Sequence, residues 1–95
     1  MPESEYVELA VEVFAMLADA TRVRIIMALR DAEELSVNHL ADIVDKSPAA
    51  VSQHLAKMRE EGLVTFRRES QTLHYRIDNP DVEKLMTTLK AMFCP

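Results

Sequence analysis

The chain has 95 residues, 48% of them apolar and 28% charged, with a formal net charge of −5 and a single cysteine. A domain of this size buries only roughly 60–70% of the surface its unfolded chain exposes, so the apolar share exceeds what a lone copy readily hides and points to a partner, most simply a second copy. One cysteine excludes an internal disulfide framework, and the acidic start "MPESEYVELA" has no basic stretch followed by an apolar leader. No apolar run approaches the ~20 residues that cross a bilayer, so a soluble, cytoplasmic protein without membrane association is expected.

The first helix is predicted over about 5–17. Glu5, Glu8 and Glu12 share one stripe, and Tyr6, Leu9, Val13, Phe14 and Leu17 lie opposite. "ADATRVRIIMALRDA" follows, with Asp19 as N-cap and Val23, Ile25, Ile26, Met27 and Leu29 as its apolar content. "ELSVNHLADIV" is a short third helix capped by Ser36, with Val37, Leu40, Ile43 and Val44 as the buried face. The fourth helix opens at "SPAAVSQHLAKMREEGLV", where Ser47 caps, Pro48 occupies the first turn at no hydrogen-bond cost, and Gly62 is the left-handed stop.

Beyond Gly62 the period changes. "LVTFRR" and "LHYRID" read as strands of a hairpin joined by "ESQT". That tip has no glycine, which disfavours a tight two-residue turn and predicts a longer, mobile loop. Asn79-Pro80 starts a last helix over about 80–93, with Val82, Leu85, Met86, Leu89, Met92 and Phe93 in one broad stripe. The expected fold is mainly α with a β-hairpin, in the order α-α-α-α-β-β-α. This is a winged helix-turn-helix in a single domain spanning 1–95, with the helix-turn-helix over about 36–61 and the wing over about 63–78.

Net acidity opposes nucleic-acid binding, which depends on Lys and Arg, but the charge is unevenly spread. Residues 1–45 carry ten acids and three bases, whereas residues 46–77 carry six bases and three acids. If the fourth helix packs through Val51, Leu55 and Met58, its other face shows Ala49, Ala50, Ser52, Gln53, Ala56 and Lys57. Small side chains let a helix lie deep in a major groove, alanine methyls meet thymine methyls, and glutamine bonds adenine bidentately. The helix start at Ser47 offers free N–H groups to phosphate, and the hairpin brings Arg67 and Arg68 towards the neighbouring backbone or minor groove. A plain solvated helix is the alternative. The cap, the small face, the positive bias and the hairpin together favour double-stranded DNA.

Across "MLADATRVRIIMAL", "ELSVNHLADIV", "SPAAVSQHLAKMREEGLV" and "RRESQTLHYRID" the chain resembles the ArsR/SmtB family of winged-helix repressors. The resemblance implies a homodimer built from the first and last helices, with Leu9, Val13, Leu85, Leu89 and Met92 in the interface, on an inverted-repeat operator. It also implies places for an inducer metal, and here the chain departs from the family. Ser36 and Asn38 stand where the family carries a thiol pair in a pattern like "ELCVCDL". Asn79, Asp81, Met92 and Pro95 stand at the ligand positions of the last helix, one carboxylate out of four. No metal and no cofactor are therefore expected.

His39 is expected to face solvent or phosphate, His54 to make an interhelical hydrogen bond, and His74 to sit half-exposed on a strand. Arg22 is as compatible with an intramolecular salt bridge as with phosphate. Cys94, near the expected two-fold axis, allows a redox-sensitive symmetric disulfide; a plain terminal thiol is the competing view. A Gly-rich phosphate loop and a supported nucleophile–His–acid arrangement are both missing, which argues against an enzyme. The function expected is a sequence-specific transcriptional regulator, a dimeric repressor without the usual metal sites. A winged-helix protein-interaction module without DNA binding is the alternative.

Overall fold

A computed structural model describes residues 2–94. Its helices are α1 (Glu3–Leu17), α2 (Ala20–Ala32), α3 (Val37–Val44), α4 (Pro48–Glu60) and α5 (Pro80–Phe93); its strands are β1 (Leu35–Ser36), β2 (Val64–Glu69) and β3 (Thr72–Ile77). The three strands form one antiparallel sheet in the order β1-β3-β2. This is the winged helix-turn-helix expected from the sequence, with one strand more.

Four helices start on side-chain caps that the sequence marks. Asp19 accepts from the Arg22 N–H at 3.1 Å, Ser36 from His39 at 3.2 Å and Ser47 from Ala50 at 3.1 Å. Asn79 accepts from both Asp81 and Val82. Each cap satisfies a first-turn donor that has no carbonyl four residues back. Asp45 closes α3 in the left-handed region at φ 56, which a short polar side chain tolerates, and so makes the turn into α4. Gly62 stops α4 at φ 76. Its N–H donates to the Arg59 carbonyl at 3.0 Å while the Leu63 N–H donates to Met58 at 2.9 Å, the paired bonds of a Schellman stop.

The core lies between α2, α3, α4 and the inner face of the sheet. Ile25, Ile26 and Leu29 from α2 meet Leu40 and Val44 from α3, Val51, Leu55 and Met58 from α4, and Val64 and Tyr75 from the sheet. Packing of α4 through Val51, Leu55 and Met58 is as expected, each with no exposed surface. The α3 face is rotated from expectation: Val37, Leu40, Ala41 and Val44 form the inward stripe, and Ile43 falls beside it, 52% exposed.

One further expectation fails. The wing tip is not a long loop: Glu69 pairs with Thr72, leaving Ser70 and Gln71 as a two-residue turn. Ser70 supplies the needed left-handed residue at φ 55, and positive φ at the first central residue alone matches the φ signs of a type II′ turn. In keeping with the surplus of apolar residues, α1 leaves most of its apolar face uncovered. Only Met16 is buried, while Tyr6, Val7, Leu9, Val11 and Phe14 are exposed, as are Met92 and Phe93 near the end of α5. Between α1 and α5 a groove of about 240 Å³ is lined by Leu9, Val13, Met16, Leu63, Val82 and Leu85. Among the described residues no helix is long and apolar enough to cross a membrane.

Candidate nucleic-acid interface

The buried stripe of α4 fixes what its other side presents. Ala49, Ser52, Gln53, Ala56 and Lys57 are exposed, with Ala50 and His54 half-buried at the margin. Ser47 is exposed too, its hydroxyl already taken by the Ala50 N–H. Pro48 has no N–H, so Ala49 is the first-turn donor left without an intrachain acceptor among the described residues. Small side chains and one free N–H at a positive helix end suit approach to a phosphate.

An open groove of about 830 Å³ runs beside this face, where Ala50, Gln53, His54 and Lys57 look across at Glu12, Asp19 and Arg22. Arg22 is not available to phosphate. It is 8% exposed and its Nη1 lies 3.5 Å from Glu61 Oε2, so it ties the start of α2 to the end of α4. The backbone N–H of Arg22 is the main cause of a lowered pKa at Asp19, with the nearby His54 assisting. The interhelical hydrogen bond expected of His54 is not formed among the described residues; its relation to Asp19 is through space.

The wing separates two arginines that the sequence reading grouped. Neighbouring strand residues point to opposite faces. Arg68 shares the face of Phe66, which turns towards α4: the Arg59 guanidinium sits 4.2 Å over the Phe66 ring, and Phe66 meets Tyr75 edge-on at 5.3 Å. Burial pushes the Tyr75 hydroxyl pKa up, partly opposed by the Arg59 charge. Arg68 itself is exposed and has no side-chain partner among the described residues. Arg67 lies on the opposite face and is held. Its Nε donates to both oxygens of Glu34 at 3.0 and 2.9 Å, its Nη2 to Glu34 Oε1 at 2.8 Å, and its Nη1 to Glu69 at 3.1 Å. These bonds lower the Glu34 pKa and push Arg67 further up. Arg67, expected to approach DNA from the wing, thus has its guanidinium engaged by two carboxylates in the chain by itself.

Of the remaining histidines, His39 is exposed, and His74 is half-buried with Nε2 3.6 Å from Glu69. Ser36 and Asn79, at positions where the resembled family places metal ligands, serve here as helix caps. No cluster of three potential metal ligands occurs among the described residues. Cys94 is exposed at the end of α5, and Pro95 lies outside the described residues. Glu34, Arg59 and Glu61 were not singled out from the sequence. The first needed β1, a strand too short to see; the others needed the packing of the end of α4.

Residues 19–65 match the family model described as bacterial regulatory protein, arsR family. The chain is 53% identical over 78 residues to the transcriptional regulator KmtR of Mycobacterium tuberculosis, a match that covers 82% of this chain and 59% of that protein's length. It is 36% identical over 85 residues to the transcriptional activator HlyU of Vibrio cholerae, covering 90% of this chain and 78% of the other. The structure superimposes on that of NolR from Sinorhizobium fredii with a TM-score of 0.86 at 35% identity, covering 98% of this chain and 93% of that one.

Proposed function

The chain belongs to the arsR family of bacterial regulatory proteins, which are DNA-binding transcriptional regulators and not enzymes, and we propose that it acts as a homodimeric repressor reading an inverted-repeat operator. The observation that carries this is the outer face of α4, where Ala49, Ser52, Gln53, Ala56 and Lys57 lie exposed behind a Ser47 cap. In a major groove Gln53 is placed to read an adenine, Ser52 a base edge or phosphate, and the alanines thymine methyls. The Ala49 N–H and Lys57 would meet phosphates, and Arg68 would extend the contact from the wing.

A second copy is the occupant that fits the uncovered apolar face of α1 and α5. Tyr6, Leu9, Val13 and Phe14 on one helix and Leu85, Leu89, Met92 and Phe93 on the other would bury against their mates about a two-fold axis. A dimer of this kind sets two α4 helices about one DNA turn apart, ~34–36 Å, and blocks polymerase while bound. Cys94, next to Phe93, would sit close to that axis.

The test is a fluorescence-anisotropy titration of the reduced protein against a duplex from upstream of its own gene and a scrambled duplex, at low and moderate salt. Tighter binding of the upstream duplex, weakening steeply with salt, is expected. Binding to neither duplex at low salt would refute the proposal and bring the protein-interaction module forward.

A further inference from the structure

Beyond the proposed recognition by α4, and resting on it, we infer that Glu34 is a positioning residue for DNA binding: by clamping Arg67 it sets the wing against the helix-turn-helix. The chain leaves α2 at Ala32 through Glu33, whose φ is 65 and ψ −49, and the Glu34 N–H donates back to the Ala32 carbonyl at 2.7 Å. A three-residue turn of positive φ is rare and strained in an L-residue, and such strain persists where the surroundings over-determine it. Here it turns the chain straight from the end of α2 into β1.

The sheet register shows what that achieves. Ser36 lies opposite His74, and His74 opposite Arg67, so all three share one face, and Glu34 follows on the same face two residues before Ser36. Glu34 therefore leads the β1 edge while Arg67 stands on the β2 edge, and their bonds reach across β3. Three N–H···O contacts join positions 33 residues apart, and Nη1 carries the chain of contacts on to Glu69, next to the tip. On the other face Arg59 stacks on Phe66. The wing is thus gripped from both sides, by α4 on one and by the α2–β1 joint on the other. Exposed ion pairs add little to global stability, but a forked pair fixes direction, and direction is what decides where Arg68 and the Ser70–Gln71 tip arrive.

The experiment compares the parent with Glu34→Gln, Arg67→Gln and the double variant, by anisotropy against the upstream and scrambled duplexes and by amide hydrogen exchange of the free proteins. Glu34→Gln keeps size but loses charge and one acceptor. Expected are a rise in Kd of about two- to fivefold for the upstream and the scrambled duplex alike, a salt slope flatter than the parent's because Arg68 meets its phosphate less often, and faster exchange confined to residues 64–77. The double variant should bind no worse than Arg67→Gln alone, since Glu34 acts through Arg67. Tighter binding with a steeper slope would overturn the inference, because Glu34 would then be masking Arg67 from phosphate. Unchanged wing exchange would overturn it as well, whatever DNA does. A parent that binds neither duplex would instead sink the regulator reading. Should Glu34→Gln fold poorly, Arg67→Lys, which keeps charge and loses the fork, is expected to reproduce its pattern; parental binding in Arg67→Lys would refute the positioning role.

Discussion

Replacing Gly62 by alanine isolates a backbone effect at the junction of α4 and the wing. Gly62 sits at φ 76, and a Cβ built on it meets no atom within 4 Å beyond its immediate chain neighbours, so no tertiary clash or contact enters. Left-handed backbone costs an L-residue about 1–2 kcal/mol. Removing glycine's extra freedom from the unfolded chain returns about 0.4–1 kcal/mol. The net loss is about 1 kcal/mol, a fall in Tm of about 4–8 °C for a domain of this size. Gly62→Asn should lose less, because asparagine tolerates the left-handed region. Thermal and urea unfolding at one fixed protein concentration would measure both, since a dimer's midpoint depends on concentration. An alanine variant as stable as the parent, or an asparagine variant no better than alanine, would refute the reasoning. A loss of about 3 kcal/mol or more would mean that the Schellman bonds themselves had broken.

Gln53→Ala should relax base preference at one operator position by ~1–3 kcal/mol while leaving the salt slope unchanged, as read by anisotropy against a set of single-substituted duplexes. An unaltered preference would remove Gln53 from the readout. Phe14→Glu places a charge on the exposed face of α1 and should shift sedimentation from dimer to monomer with the helical CD spectrum intact; a persistent dimer would locate the interface elsewhere. Asp19 has a lowered pKa in the folded chain, so its contribution is complete above the unfolded carboxylate's pKa and fades as pH falls through the lower folded value. Asp19→Asn keeps the cap but cannot titrate, so the stability gap between parent and variant should shrink as pH falls below the unfolded carboxylate's pKa. A gap that does not change with pH would contradict this.

The features legible in the sequence are those decided within a few residues. Asp19, Ser36, Ser47 and Asn79 each precede an apolar helical period, and a side-chain oxygen bonding an N–H two or three residues on needs nothing from elsewhere. The α4 stripe of Val51, Leu55 and Met58 was equally local. What escaped depends on distant chain. β1 is two residues long and exists only because β3 is there to pair with it. Without β1 there was no reason to bring Glu34 to Arg67. Ile43 misled because Ala41, small but correctly phased, holds the inward position on α3. The tight turn is not legible because Ser70 takes the positive φ that a glycine would have advertised. Strand alternation by itself separates Arg67 from Arg68.

These ties also bear on how an acidic chain would hold DNA. Two of the six bases in residues 46–77 are committed, Arg67 to Glu34 and Arg59 to the Phe66 ring, and of the three in residues 1–45 Arg22 is tied to Glu61 and Arg30 to Thr87. Near the α4 face, Lys46, Lys57 and Arg68 are exposed and have no side-chain partner among the described residues. If each meets one phosphate, a dimer makes about six such contacts, and the slope of log K against log salt should be about −5. Arg68→Ala would remove two of them, one per copy, and flatten the slope to about −3.5. A parental slope near −10 would mean that DNA breaks the Glu34–Arg67 and Arg22–Glu61 pairs on binding. A slope near −5 that Arg68→Ala leaves unchanged would take the wing off the backbone and assign the contacts to α4 and the turn before it.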